Sequence, residues 1–368
     1  MIHKNIPLFD PKKQYLTIKK EIDSAITNVL ESGVYTLGKE TKVFENNFAD
    51  YIDRKFAVST NSGTDSLLLS LKVLDIKPGD EVITAPNTFF ATAEAISRSG
   101  AIPIFADIDT HTLNIDPKKI RDKISDKTKA IIPVHLFGNP CNIKGILEIA
   151  KEFNLKIIED CCQAAGAEYN NKKIGSFGDF ACFSFYPTKN LNCYGDAGII
   201  VLNNEQHAEK INIFKNHGRK NTNEHSVIGY NSRMDELQAT ILHIKLRYLD
   251  SWNEKNAKTA ERYKNEINNS KISFPLPTKN SKRVFYTFPI ICEDRERLIS
   301  HLEKKNICTG IYYPIPIHLQ EAYLYLKNKK GDFPIAEKIS EKILSLPLFP
   351  ELADDEISFI IKTINNFN

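Results

Sequence analysis

The feature that most constrains the fold is an alternation of short apolar segments with helix-patterned segments between residues 56 and 202. The intervening segments repeat apolar residues at helical spacing, as Leu67, Leu71 and Leu74 do. Strands that alternate with helices form a mostly parallel sheet that helices cover on both faces. The pattern therefore predicts an α/β fold, with strands at residues 56–59, 81–85, 102–106, 130–134, 155–160, 180–185 and 198–202.

The length of the chain indicates more than one domain. A chain of 368 residues with 42% apolar residues exceeds one ordinary core and can fill two. We expect a large domain at residues 1–250, opened by an extended arm, and a small α+β domain at residues 251–368. A helical pattern at residues 234–267, either one long helix or two abutting ones, is predicted to bridge them. The small domain is predicted to hold strands at residues 284–292 and 308–313 and helices at residues 295–306, 335–343 and from 355 onward.

Charge and cysteine content exclude several classes of function. The 49 basic and 46 acidic residues are well mixed, so no charged block predicts a nucleic-acid or membrane partner. The 7 cysteines are odd in number and form no Cys-x-x-Cys pair, which predicts reduced thiols and no metal site. No signal core opens the chain, and no stretch of about 18 apolar residues follows. We therefore expect a cytoplasmic protein.

Two polar residues follow neighbouring apolar segments. Asp160 ends the predicted strand at 155–160, and Lys189 lies after the strand at 180–185, in a turn that Pro187 and Asn190 indicate. Ligands of open α/β sheets bind beyond the carboxyl ends of the strands. A carboxylate and an amine there suit pyridoxal phosphate, whose aldehyde binds a lysine and whose ring nitrogen stays protonated against an acid. Taken singly, each residue has an explanation without a ligand: Lys189 as a solvated surface charge and Asp160 as the cap of a following helix.

A third candidate element is the turn NSGT at residues 61–64. It joins the strand at 56–59 to a helix that begins near Asp65. A glycine-bearing turn that opens a helix exposes unpaired amides at the positive end of the helix dipole, which suits a phosphate. An ordinary capped helix explains the same residues without any ligand.

Five segments together resemble a known family. Residues 183–191 (FSFYPTKNL), followed by YGDAG at 194–198, closely resemble the lysine segment of the DegT/DnrJ/EryC1/StrS family of nucleotide-sugar aminotransferases. Residues 61–67, 159–163, 229–239 and 313–318 resemble further motifs of that family in the same order, over nearly the whole chain. The resemblance implies the aspartate-aminotransferase fold type I with a seven-stranded-type sheet, pyridoxal 5'-phosphate, and a homodimer with composite active sites.

The resemblance also implies roles for individual residues. Lys189 would hold the cofactor and move the proton, and Asp160 would keep its ring nitrogen protonated. The other cofactor-binding candidates are Gly63, Thr64, Phe89, Gln163, Ser184 and, from the partner subunit, Asn231. The substrate-binding candidates are Tyr186, Tyr313 and His318, for which a place in the core or at the rim is an equal alternative.

The lysine segment is most similar to the branch that acts on 3-keto sugars. Relatives acting at carbon 4 more often have histidine where Tyr186 stands and a glycine-glutamate-glycine run after the lysine. This implies transfer from L-glutamate to carbon 3 of a dTDP-3-keto-6-deoxyhexose for a surface glycan. The alternatives are a 4-keto aminotransferase, a sugar dehydratase with histidine in place of Lys189, and a nucleotide-binding module without catalysis.

Two positions depart from the family pattern. Ala165 stands where relatives often have histidine, and Asn192 and Cys193 stand where glycine and a small residue are frequent. Neither departure removes a reacting group.

Overall fold

The computed structural model describes residues 5–368 and has the α/β architecture that the alternating pattern predicts. The helices are α1 (Pro11–Thr17), α2 (Lys19–Ser32), α3 (Lys39–Ile52), α4 (Gly63–Val73), α5 (Phe90–Ser99), α6 (Pro117–Arg121), α7 (Ile143–Glu152), α8 (Glu205–Lys215), α9 (Glu236–Leu246), α10 (Leu249–Glu266), α11 (Arg295–Glu303), α12 (Pro334–Lys342) and α13 (Asp354–Asn365). The strands are β1 (Phe56–Thr60), β2 (Glu81–Thr84), β3 (Ile102–Phe105), β4 (Thr128–Ile131), β5 (Lys156–Asp160), β6 (Glu168–Tyr169), β7 (Lys172–Lys173), β8 (Phe180–Ser184), β9 (Gly198–Leu202), β10 (Ile272–Ser273), β11 (Ser281–Lys282), β12 (Phe288–Cys292) and β13 (Ile343–Leu346).

The central sheet has seven strands in the order β1-β9-β8-β5-β4-β2-β3. Its pairs are parallel from β3 to β8, whereas β9 runs antiparallel to both β8 and β1. Asp160 pairs with Cys182 in the register of β5 and β8, so the carboxyl ends of these two strands lie side by side. This arrangement brings the loops after β5 and β8 to one edge of the sheet, where ligands of such sheets bind.

Apolar cores cover both faces of the sheet. On β8, Ala181 and Phe183 pack with Phe48 of α3, whereas Phe180 and Cys182 pack with Leu71 of α4 in a separate core. This alternation follows from the two-residue period of a strand. Burial on both faces explains why the segment is apolar throughout instead of alternating with polar residues.

The C-terminal part has its own core and its own antiparallel sheet, β10-β12-β13. Ile6 of the N-terminal arm belongs to this core, and its amide donates to the carbonyl of Asn306 at 2.8 Å. Tyr263 of α10 is buried in the same core, whereas Leu249 at the start of α10 belongs to the core under the large sheet. Helix α10 therefore bridges the two parts, and the boundary at residue 250 stays a prediction.

The helical pattern at 234–267 forms two helices, α9 and α10, which is one of the two predicted alternatives. Within residues 5–368 no helix combines the length and apolarity that crossing a bilayer requires. Two predicted strands differ in the structure. The predicted strand at 308–313 is wrong, because this segment makes only one isolated bridge, from Gly310 to Ser345. The strand expected at 284–292 begins at Phe288, since Val284 instead donates to Gly138 at the edge of the large sheet.

Candidate active site

A cavity of about 560 Å³ lies beyond the carboxyl ends of β5 and β8. Asp160 and Lys189 both line it, together with Gly63 and Thr64 at the beginning of α4. The remaining predicted residues at the cavity are Phe89, Gln163, Ser184, Tyr186 and Tyr313. The structure therefore brings together residues that are spread over more than half of the chain.

One end of the cavity is the N-terminus of α4. The hydroxyl of Ser62 accepts from the amide of Asp65 at 3.1 Å and so caps one amide of the first turn, whereas the amides of Gly63 and Thr64 have no intrahelical partner. A Cβ at position 63 would lie 2.7 Å from Cβ of Ser184 and 2.8 Å from Sγ of Cys162, so only glycine fits there. A helix N-terminus beside a serine hydroxyl suits an anion such as a phosphate.

The cavity is also lined by a buried acid. Asp160 is 4% exposed, accepts from the Thr92 hydroxyl at 2.8 Å and accepts from the amide of Cys162 at 3.2 Å. Among residues 5–368 no lysine, arginine or histidine forms an ion pair with it. A buried carboxylate without a cation needs a positive or proton-bearing partner, which a protonated pyridine nitrogen provides.

Lys189 extends from the loop after β8. Its Nζ lies 4.3 Å from the ring centre of Tyr286, an attractive contact between a cation and an aromatic face. The Tyr286 hydroxyl lies 3.2 Å from the Thr188 hydroxyl, which ties this tyrosine to the lysine loop. Sequence reasoning missed Tyr286, because no local pattern connects the segment before β12 with the loop after β8.

Aromatic and amide groups form the remaining wall. Phe89 is 54% exposed, and its ring centre lies 5.9 Å from that of Tyr313. Gln163 donates to the Tyr313 hydroxyl at 3.3 Å and accepts from the amide of Phe137 at 2.8 Å, so its orientation is determined. Burial raises the pKa of Tyr313 well above its usual value, so the phenol stays protonated at neutral pH.

Two predicted residues do not reach this cavity. His318 is completely buried, with Nε2 3.1 Å from Oε1 of Glu337 and its ring against Phe333. Burial lowers the pKa of His318, so the ring is neutral at neutral pH. Because the ring is buried, it does not contact substrate in this geometry. Asn231 is exposed and does not line the cavity of its own chain. Its backbone forms an isolated antiparallel bridge with Asn216.

A separate cluster of metal-ligating side chains lies beneath the sheet edge. His135, Glu159 and Cys161 place ligand atoms within 4.8 Å of one another. The ring nitrogens of His135 already bond to Glu159 and to the amide of Cys141, and Glu159 also accepts from the amide of Gly178. These bonds engage the ligand atoms of His135 and Glu159 in a buried structural network.

Comparison with known proteins identifies similar chains over the full length. A sequence profile described as the DegT/DnrJ/EryC1/StrS aminotransferase family matches residues 16–365. The chain is 43% identical over 362 residues to the dTDP-3-amino-3,6-dideoxy-alpha-D-galactopyranose transaminase of Aneurinibacillus thermoaerophilus, covering 98% of this chain and 99% of that protein. It is 41% identical over 366 residues to the pleiotropic regulatory protein of Geobacillus stearothermophilus, covering 99% and 98% respectively. It is 38% identical over 359 residues to the UDP-N-acetyl-3-dehydro-alpha-D-glucosamine 3-aminotransferase of Acidithiobacillus ferrooxidans, covering 98% and 97%.

Solved structures are also similar to this chain over nearly its whole length. The crystal structure of S. venezuelae DesV in complex with a ketimine intermediate has a TM-score of 0.97 and 38% sequence identity, covering 99% of this chain and 98% of that one. The structure of ntda from Bacillus subtilis with bound cofactor pmp has a TM-score of 0.92 and 33% identity, covering 98% and 85%.

Proposed function

The chain belongs to the DegT/DnrJ/EryC1/StrS aminotransferase family, and we propose that it transfers the amino group of L-glutamate to carbon 3 of a dTDP-3-keto-6-deoxyhexose. As a member it is a pyridoxal-phosphate-dependent aminotransferase of nucleotide sugars with the type I fold, which confirms three predictions from the sequence. The alternative of a nucleotide-binding module without catalysis is therefore set aside. The position of the keto group and the nucleotide belong to the proposal.

The observation that carries the carbon-3 assignment is the segment around Lys189. Tyr186 is about half exposed at the cavity, in the place where relatives acting at carbon 4 more often have histidine. The Aneurinibacillus and Acidithiobacillus relatives are both named for nitrogen at carbon 3, although one name carries dTDP and the other UDP. The names of both relatives therefore support carbon 3 as the position of the keto group, whereas they disagree about the nucleotide.

Different residues of the cavity have different roles in the proposed reaction. When bound, pyridoxal phosphate supplies an electron sink for the carbon next to the transferred nitrogen. In our proposal the amine of Lys189 would hold the cofactor and, when free, would accept and return the proton at the substrate carbon. Asp160 holds a proton on the ring nitrogen, and the amides of Gly63 and Thr64 bind the phosphate with the hydroxyl of Ser184.

The wall of the cavity orients the ring and the substrate. Phe89 and Gln163 would contact the cofactor ring, since both line the cavity and the Gln163 amide is held by Phe137. Tyr186 and Tyr313 offer hydroxyl donors to the sugar or to the diphosphate. His318 is reassigned to a supporting role, in which it anchors the segment after Tyr313 against Glu337.

Substrate preference is the direct test of this proposal. We expect kcat/KM for the dTDP-linked 3-keto-6-deoxyhexose to exceed that for its 4-keto isomer by about a hundredfold, because a keto group one ring position away is misplaced for reaction. Formation of 2-oxoglutarate from L-glutamate measures both rates, and the corresponding sugar without a keto group is the blank. Faster turnover of the 4-keto isomer would refute the assignment, and a preference for UDP sugars would change only the nucleotide.

We also propose a homodimer in which each site uses residues of both chains. Asn231 does not reach its own cavity. Exposed apolar side chains lie close to it in the chain at Val227 and Ile228, and others lie beside the start of α9 at Val34, Tyr35 and Leu37. Ile228 is 96% exposed in the single chain. Exposed apolar surface of this kind is typical of an interface between subunits. We infer that Asn231 binds the phosphate in the site of the partner subunit.

Mixed dimers test this arrangement. Lys189→Ala and Asn231→Ala chains are each expected to have little activity alone. In a mixed dimer one site carries both lesions and the other carries neither. Random mixing should therefore restore about a quarter of the wild-type rate, since half of the dimers are mixed and each has one intact site.

The matched control pairs Lys189→Ala with Asp160→Asn. Both residues line the cavity of one chain, so every site in that mixture keeps a lesion and no activity should return. Native mass spectrometry establishes that mixed dimers have formed. If they form and the Asn231→Ala mixture stays as inactive as the control, each site is built within one chain.

A further inference from the structure

A buried side chain supports the lysine loop from behind. Asn192 is 1% exposed, and its Nδ2 donates to the backbone carbonyl of Lys189 at 2.9 Å. Its Oδ1 accepts from Nζ of Lys245 on α9 at 2.5 Å. Because both ends of the amide are bonded, the orientation of Asn192 is determined, and the carbonyl of Lys189 is connected through it to a helix of the large domain.

Lys245 is an unusual residue for this position. It is completely buried, and among residues 5–368 no carboxylate lies within ion-pair distance of its Nζ. Its Nζ lies 4.1 Å from the ring centre of Tyr194, on the same loop as Asn192. Burial lowers the pKa of Lys245 to about 7, although the nearby Cys193 and Glu351 raise this pKa by smaller amounts. Burial of a charged amine without a carboxylate costs free energy, and among residues 5–368 the contacts of this amine are with Asn192 and Tyr194 of the loop.

We propose that Asn192 and Lys245 form a positioning pair that holds the backbone of Lys189 and thereby the direction in which its amine enters the cavity. The inference rests on the proposed role of Lys189. The Lys189 amide also donates to the carbonyl of Tyr186 at 2.9 Å, so the two backbone groups of this residue are held by separate bonds. Reactive groups displaced by about 1 Å lose much of their rate, so support of this backbone acts on turnover more than on substrate binding.

Three variants test the two hydrogen bonds of the Asn192 side chain. Asn192→Ala removes both bonds, and Lys245→Met removes the amine while keeping the length of the side chain. Asn192→Asp keeps an acceptor for Lys245 but loses the donor to the Lys189 carbonyl. The aspartate variant keeps the volume of Asn192 and gains a charge partner for Lys245, so it tests the idea even if the other two fold poorly.

Hydrogen exchange of the cofactor-free protein gives a measurement that does not depend on activity. We expect exchange of the peptide that covers residues 186–193 to be at least about tenfold faster in all three variants, since each variant loses at least one hydrogen bond of ordinary strength. In the loaded enzyme kcat should fall by about tenfold, with KM for L-glutamate changed less than about twofold, because the pair acts on the reacting geometry.

Lys215→Met is the matched control, because Lys215 is also buried but bonds to Glu45 and Ser59 away from the lysine loop. It should leave exchange of residues 186–193 unchanged. Equal acceleration in this control would mean general loosening and would overturn the proposal, as would unchanged exchange and unchanged kcat in Asn192→Asp. The Lys189→Ala variant is measured alongside. If it keeps activity, the proposed function itself fails, whereas an inactive Lys189→Ala with unaffected Asn192 variants refutes the positioning pair alone.

Discussion

Replacing Lys189 by alanine is expected to lower kcat by roughly ten-thousand-fold, the upper range for loss of a positioned acid-base group. In the proposed function, the alanine removes both the covalent attachment of the cofactor and the amine that moves the proton. The fold should persist, since Nζ of Lys189 makes no ion pair among residues 5–368 and its main contact is the Tyr286 ring. The phosphate end at Gly63 and Thr64 is untouched, so the variant should still bind cofactor without a covalent bond.

Mass spectrometry after borohydride reduction measures attachment directly. Wild-type protein should carry the reduced cofactor on the peptide that contains Lys189, and the variant should carry it on no peptide. Lys151→Ala, at an exposed position on α7, controls for loss of a lysine and should behave as wild type. A small primary amine added to the Lys189→Ala variant should restore part of the rate. Steady-state activity near the wild-type value would disprove the role of Lys189.

The Asp160→Asn variant is expected to lose about a hundredfold to a thousandfold in kcat, as removal of a preorganised charge in an active site does. A neutral amide cannot hold a proton on the ring nitrogen. The substitution preserves shape, because the Asn side chain can still accept from the amide of Cys162. The hydroxyl of Thr92, which now donates to Asp160, can accept from the new amide instead.

Asp179→Asn is the control for loss of one carboxylate. Asp179 accepts from the amide of Ile157 near the beginning of β5, whereas Asp160 ends that strand, so the two changes affect opposite ends of the same strand. We expect kcat of Asp179→Asn to stay within about twofold of wild type, the usual outcome for a change outside the reacting groups. Comparable losses in both variants, or an unchanged rate in Asp160→Asn, would show that the essential acid lies elsewhere.

The order of strands and helices followed from local pattern. Each of the seven strands of the central sheet overlaps a segment that the sequence predicted, because strand formation depends on apolar residues close together in the chain. Asp160 and Lys189 were predicted at the edge of the sheet for the same reason, since each directly follows such a segment. The short strands β6, β7 and β11 were not predicted, because two residues are too few to show an alternating pattern and because β11 pairs with β6 from a distant part of the chain.

The C-terminal segments show where local pattern was insufficient. Residues 313–318 resemble one motif, yet Tyr313 lines the cavity while His318 is buried against Glu337 and Phe333. Which residue of a short irregular segment faces a site depends on the helix that packs over it, here α12. Neither helical nor strand periodicity applies to such a segment, so its side-chain directions could not be predicted.

The sequence by itself determined the fold class, the positions of Asp160 and Lys189 at the ends of two strands, and the glycine-bearing turn at the beginning of α4. Only the tertiary structure decided that Tyr286 lies over the amine of Lys189 and that Lys245 bonds to Asn192 behind the lysine loop. The physical reason is the range of the interactions involved. Strands, helices and caps depend on residues a few positions apart, whereas contacts between loops depend on how whole elements pack.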